Sequence, residues 1–239
     1  MPLSLVLAPA LEALPGVVHG FERRSPTTPE ETHEATRARV ASALEGRGRL
    51  CLMRQVHGAT VVRAPWEEKP DGDVALTTTP GVLVGVETAD CLPLLLVDPV
   101  RLAAAAVHAG WRGTAARVAA HATAALVASG SRPEDLVAAA GPCIGACCYE
   151  VGEELRPAFG RGAELFFQPG PRGRPHLDVR AANVSQLVES GVSPENIHHV
   201  HECTSCGGDL YHSYRRDGPG GGRMISFVGY EQEPRTVKG

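Results

Sequence analysis

The chain predicts a mixed-sheet α/β sandwich forming one domain. Short apolar runs rich in branched side chains read as buried strands. Stretches with capping residues read as helices between them. The two kinds alternate irregularly, without the regular βαβ spacing of a doubly wound parallel sheet. With 239 residues, 43% hydrophobic and 21% charged, the chain can bury a core of the required size.

Taken in order, residues 29–45 read as a helix, opened by Glu30 and Glu31 with Thr28 as a candidate N-cap and stopped at Gly46. Residues 50–63 read as a strand pair or one strand bent around Gly58. Residues 82–86 and 94–97 are apolar and short enough for buried strands, the second ending at Asp98 and Pro99. Residues 103–107 read as a further strand that delivers His108 at its end. Thr114 then reads as the cap of a helix over 115–128, closed by Ser129 and Gly130. Residues 136–140 read as a strand into the turn Gly141-Pro142, and residues 152–159 as a short helix. Residues 169–175 form a Gly/Pro/Arg loop. Asp178 caps a helix over 179–189. Residues 197–203 and 224–228 read as strands, with 218–222 as a mobile glycine loop before the last one.

A net charge of -4 predicts no general affinity for nucleic acid or acidic membranes, and 5% aromatic residues leave little for base-stacking platforms. No apolar run reaches the roughly 20 residues that span a bilayer. The first residues lack a basic leader and are broken by Pro2, Pro9, Glu12 and Pro15, so a cytoplasmic protein is expected. In that setting seven cysteines suggest metal, catalysis or burial before disulfides.

Three separated segments each carry one metal-compatible ligand: His57 in Arg54-Gln55-Val56-His57-Gly58, Cys91 in Ala89-Asp90-Cys91-Leu92-Pro93, and His108 in His108-Ala109-Gly110-Trp111-Arg112-Gly113. One thiol and two imidazoles make a two-His, one-Cys set, and three protein ligands leave the open position that distinguishes a catalytic zinc from a structural one. Each residue alone has a plainer reading: a packed or surface histidine, or a buried small thiol. Asp90 and Glu87 are candidates to orient a histidine or act as general base. Gln55, Arg112, Gly113 and Arg215 are candidate substrate-binding residues. Arg112 offers a planar fork for phosphate or carboxylate, and Gly113 a turn that a ligand can approach closely. Cys203-Thr204-Ser205-Cys206, preceded by His198, His199 and His201, reads as half a zinc site or a redox pair. Cys143, Cys147 and Cys148 could complete it if the fold brings them near.

In order along the chain, RQVHGATVV, ADCLPLLLVDP, HAGWRGT, GPCIG with YEVGEEL, LDVRAAN and SYRRDG with GRM resemble the YfiH-type proteins, also called the multicopper polyphenol oxidase or laccase-domain family. The resemblance runs from about His19 to Val228. It implies an α/β/β/α sandwich of the type shared with the cytotoxic necrotizing factor catalytic domain, and zinc ligands at His57, Cys91 and His108. It also implies purine nucleoside chemistry: phosphorolysis of adenosine, inosine and methylthioadenosine, and deamination of adenosine. The partners would then be a small nucleoside and phosphate, with no nucleic acid or membrane; the pattern implies no particular oligomeric state. Copper-dependent polyphenol oxidation and peptidoglycan editing are further family associations. One element departs from the family pattern, because Phe21 leads through Glu22-Arg23-Arg24-Ser25-Pro26 toward the first helix without an Asn-Leu-Gly motif, which bears on substrate choice.

Two other enzyme classes are weighed on the same residues, and only the first fits them. A metal-free Cys–His hydrolase would use Cys91 as nucleophile with His108 or His57 as base, acting on an amide or cell-wall precursor. A multicopper oxidase needs many paired histidines, whereas only His199 and His201 stand as His-x-His among ten histidines. Copper remains the alternative ion for the zinc site. A non-enzymatic structural metal clamp would need a fourth protein ligand, such as Cys143.

Overall fold

The computed structural model describes residues 3–24 and 32–232. Its strands are β1 (Leu5–Val6), β2 (Val17–Glu22), β3 (Arg49–Leu52), β4 (Val61–Arg63), β5 (Val74–Thr77), β6 (Val82–Thr88), β7 (Leu92–Asp98), β8 (Ala103–Ala109), β9 (Val137–Ala140), β10 (Phe167–Pro169), β11 (Pro175–Leu177), β12 (Ile197–His199) and β13 (Met224–Tyr230). Its α-helices are α1 (Pro9–Glu12), α2 (His33–Ala43), α3 (Trp111–Ala115), α4 (Val118–Ala128), α5 (Val179–Glu189) and α6 (Tyr214–Asp217).

One sheet has the order β1-β2-β13-β6-β3 and the other β12-β9-β7-β8-β5-β4, while β10 and β11 pair as a separate hairpin. Both large sheets are mixed. In the first, β3 runs parallel to β6, and β13 antiparallel to both β6 and β2. In the second, β4 is parallel to β5 and β12 to β9, whereas β7 is antiparallel to β8 and β9.

The apolar runs are continuous because each sheet is covered on both faces. Along β7, Leu95 and Val97 meet Val84, Val86 and Val228 of the first sheet, in the core between the sheets. The alternate residues Leu94 and Leu96 face outward and pack with Val118, Ala122 and Leu126 of α4 and Leu187 of α5. On the far side of the first sheet, Leu83, Ile225 and Phe227 pack with Val40 of α2 and with Leu44. The layers are therefore helix, sheet, sheet, helix: the expected α/β/β/α sandwich. No helix among the described residues is long and apolar enough to cross a membrane.

Several local expectations change. Thr28 lies outside the described residues, and the N-cap of α2 is Thr32, whose hydroxyl accepts from Ala35 N at 3.2 Å. Residues 50–63 are neither a hairpin nor one bent strand, because β3 and β4 belong to different sheets and residues 53–60 carry the chain across. Thr114 is not an N-cap. Helix α3 starts at Trp111, and the Thr114 hydroxyl donates back to Gly110 O at 2.9 Å. The helix then breaks at Arg117, whose φ is 61°, before α4 begins. Residues 153–159 are a 3-10 helix, since Pro157 lacks the amide that an α-helix interior needs. Strand β12 stops at His199, four residues before Cys203. Residues 218–220 form a 3-10 turn. Asp178 caps α5 as expected, accepting from Ala181 N at 2.8 Å.

Candidate metal centre and substrate cavity

Two of the three candidate ligands lie where the chain passes from one sheet to the other. His57 is on the β3–β4 crossing, and Cys91 follows Asp90 on the β6–β7 crossing. Both crossings turn through left-handed backbone, with φ of 61° at His57 and 86° at Asp90, conformations uncommon outside glycine. His108 sits inside β8 opposite Pro93, and is buried. The side-chain ligand atoms of His57, Cys91 and His108 all lie within 4.8 Å of one another. The two imidazole rings meet edge to face with centroids 4.8 Å apart. Gly110 leaves the space they need, because a Cβ there would stand 3.0 Å from Cys91 Sγ and 3.4 Å from His57 Cδ2.

The group that orients this set is Asp73, at the entrance of β5 and fully buried. Its Oδ1 lies 2.7 Å from His108 Nδ1 and accepts from His57 N at 3.0 Å, while its Oδ2 accepts from Gly58 N at 2.6 Å. An ionised carboxylate makes Nδ1 the protonated nitrogen and leaves Nε2 as the ring atom available to Cys91. Burial raises the Asp73 pKa, but His108 and the two amides outweigh it and hold the carboxyl below its usual range. Burial likewise pushes the Cys91 thiol up, and the His108 and His57 imidazoles reverse this, bringing it to about 6. Burial alone would lower His108; Cys91 and Asp73 instead raise it to about 9. Without an ion the pair is thus a Cys91 thiolate beside a His108 imidazolium, and an ion bound there would displace the Nε2 proton. That set suits zinc or copper, which favour nitrogen and soft sulfur.

The three residues share a cavity of about 720 Å³, within the range of small-molecule sites. Met53, Ile144, Trp111 and Tyr149 give it apolar and aromatic walls, and Arg37, Lys69, Arg112, Arg215 and Arg223 bring positive charge. The Arg112 guanidinium stacks 4.5 Å over the Trp111 ring. Arg215 lies 5.3 Å over Tyr149 and donates to the carbonyls of Cys148 and Glu150.

Other sequence candidates have structural partners. Asp90 lines the cavity, but its Oδ1 accepts from Thr204 Oγ1 and its Oδ2 from Arg215 N, each at 2.6 Å. Asp73, not Asp90 or Glu87, orients the histidine. Glu87 receives a two-pronged Arg37 guanidinium at 2.9 and 2.8 Å. The Gln55 amide spends both ends on the Glu87 backbone, donating to its carbonyl at 2.8 Å and accepting from its amide at 2.7 Å.

Gly113 does not line the cavity; it lets α3 press against the His57 crossing. A Cβ at Gly113 would stand 2.7 Å from Gly58 O, a backbone atom that cannot swing aside. Gly113→Ala is therefore expected to destabilise the fold by about 1–3 kcal/mol and to weaken metal retention, read by thermal unfolding and metal content.

Asp73 escaped sequence reading because Asp71-Gly72-Asp73 looks like an ordinary turn. The available signal was a second carboxylate placed directly before the buried run that starts at Val74.

Residues 27–231 match the family described as multi-copper polyphenol oxidoreductase laccase. A purine nucleoside phosphorylase of Deinococcus radiodurans is 40% identical over 194 residues, covering 81% of this chain and 75% of that protein. Adenosine deaminase RL5, from an unknown prokaryotic organism, is 37% identical over 160 residues, covering 65% and 61%. Among solved structures, YlmD from Geobacillus stearothermophilus superposes with a TM-score of 0.83 at 28% identity over 94% of each chain. The Bacillus licheniformis hypothetical protein YfiH does so with a TM-score of 0.84 at 26% identity over 97% of each. The matched span, these identities and the shared sandwich together establish that the chain belongs to the multi-copper polyphenol oxidoreductase laccase family, which takes in the YfiH-type proteins.

Proposed function

We propose that this protein is a zinc-dependent purine nucleoside enzyme that carries out phosphorolysis of adenosine, inosine and methylthioadenosine and deamination of adenosine. The observation that carries this reading is the convergence of His57, Cys91 and His108, within 4.8 Å, on a cavity of nucleoside size. The relatives named purine nucleoside phosphorylase and adenosine deaminase support it.

His57, Cys91 and His108 would hold the ion, which when bound supplies Lewis-acid polarisation. The remaining roles belong to the chain itself. Asp73 holds the proton at His108 Nδ1 and so fixes the ring. Met53, Ile144 and Tyr149 offer the apolar surface that a purine base buries. Arg112 and Arg215 place guanidinium charge where phosphate can be received, and the planar fork suits its oxygens.

Multicopper oxidation is not supported by the donor set. Among the described residues two groups bring three or more His, Cys, Asp or Glu ligand atoms within 4.8 Å of one another, this one and a four-cysteine group, and the His199 and His201 rings stack on each other outside both.

The metal-free Cys–His hydrolase keeps one supporting observation, the Cys91 sulfur within 4.8 Å of ring nitrogens of both His57 and His108. It predicts turnover indifferent to chelators and a covalent adduct on Cys91.

The deciding experiment incubates metal-replete and metal-stripped protein with adenosine, inosine or methylthioadenosine, with and without inorganic phosphate. Free base, ammonia and bound metal are then quantified. Phosphate-dependent base release that disappears on stripping and returns with zinc is the expected result. Metal-replete protein that releases neither base nor ammonia would overturn the reading.

A further inference from the structure

We propose that Cys147, Cys148, Cys203 and Cys206 form a second metal site, a structural tetrathiolate zinc centre that pins the outer wall of the cavity.

The fold brings the two halves together from distant positions. Strands β9 and β12 run parallel as neighbours, so the segments that follow them leave the sheet side by side. A parallel bridge between Cys143 and Cys203 continues the pairing, with Thr204 N donating to Cys143 O at 3.0 Å. Each segment then contributes two thiols, the adjacent pair Cys147-Cys148 and the spaced pair Cys203 and Cys206. Cys143 stays out of the group, buried and within 3.4 Å of the Arg180 guanidinium.

The four sulfurs lie within 4.8 Å of one another, and Cys147 Sγ and Cys206 Sγ are 3.8 Å apart. Zinc–thiolate bonds of about 2.3 Å in a tetrahedron place neighbouring sulfurs about 3.8 Å apart, so the spacing fits one ion at the centre. An iron–sulfur cluster would hold its cysteines farther apart, around several metal atoms. No pair of these thiols is joined as a disulfide.

The backbone is arranged for sulfur anions. Gly145 N donates to Cys203 Sγ at 3.3 Å. Gly207 closes the turn, donating to Cys203 O at 2.8 Å, and a Cβ there would come within 2.7 Å of the same oxygen. Four protein ligands with no open position are the signature of a structural ion.

Both loops are wired to the first site. Thr204 holds Asp90 beside Cys91, and Arg215 reaches the carbonyls of Cys148 and Glu150. An ion across the loops therefore fixes the wall that presents Arg215 to the cavity.

The test measures zinc per chain in protein purified without chelators, for wild type, Cys91→Ala and Cys147→Ser/Cys206→Ser. Two ions in wild type and one in each variant are expected. Cobalt substitution adds an independent reading: intense tetrathiolate-to-cobalt charge transfer should persist in Cys91→Ala, and in the double variant should fall to the weaker single-thiolate absorption of Cys91. If the double variant fails to fold, the cobalt spectrum of Cys91→Ala decides alone, and absence of the tetrathiolate bands overturns the site. One ion in wild type, lost only in Cys91→Ala, also overturns it and leaves the first centre intact. So does a native mass lower by two hydrogens, with a disulfide mapped to these cysteines.

Discussion

Cys91→Ala is expected to empty the first metal centre and to lower kcat/KM for base release by at least about 100-fold. Removing a group that merely orients a ligand already costs 10–100-fold in metal affinity or activity, and losing a ligand itself must cost more. Cys91 also supplies the only negative charge among the three donors, so two neutral imidazoles would face a dication without compensation. The side chain is half-buried and its Sγ lies within 4.8 Å of the ligand nitrogens of His57 and His108, so the substitution opens little apolar core. Thermal unfolding of the metal-free proteins should therefore differ by only about 1 kcal/mol, within the range of partly exposed substitutions. The measurement is metal content beside kcat/KM for inosine phosphorolysis. Wild-type turnover by a metal-free Cys91→Ala protein would sink the metalloenzyme reading and the hydrolase reading together, because both need this thiol.

Much of the frame was legible before any coordinates. Residues 82–86 and 94–97 read as buried strands because sheets covered on both faces demand uninterrupted apolar side chains, and β6 and β7 lie there. Asp178 was legible as a cap because the cap is a local bond to Ala181 N. The three candidate ligands were legible as chemistry, one soft or borderline donor in each of three segments. What escaped was whatever depends on residues far apart in the chain. Residues 50–63 carry two apolar runs around a turn, and nothing local states that the runs enter different sheets. Asp90 looked free to carry a proton, yet its carboxylate is occupied by partners 114 and 125 residues away. Gly113 looked like a phosphate-approach glycine, while its real neighbour is the carbonyl of Gly58. Half of the four-cysteine group was visible as Cys203 and Cys206, and only the parallel pairing of β9 with β12 supplies the other half.

Asp73→Asn is expected to weaken zinc binding at the first site by 10–100-fold, with a parallel fall in kcat/KM. It should also destabilise the fold by about 1–3 kcal/mol, the penalty for leaving a buried donor without its acceptor. The carboxylate accepts from three donors, His108 Nδ1 and the amides of His57 and Gly58. An amide of the same shape has one oxygen, so either orientation fails somewhere. With its nitrogen toward Gly58, two N–H groups point at each other and the His57 crossing must shift. With its nitrogen toward His108, Nδ1 has to accept, which moves the ring proton to Nε2 and removes the lone pair facing Cys91, and the His57 amide loses its acceptor as well. The first orientation loosens a ligand-bearing loop, and the second loosens it at His57 and also disarms a ligand, so both lower metal affinity. Zinc affinity by chelator competition, paired with unfolding of the metal-free protein, separates them. An affinity loss larger than the stability loss accounts for identifies the tautomer route, and a stability loss that accounts for the weaker binding identifies the loop route alone. Wild-type zinc affinity in Asp73→Asn would show that the carboxylate holds the crossing without orienting His108.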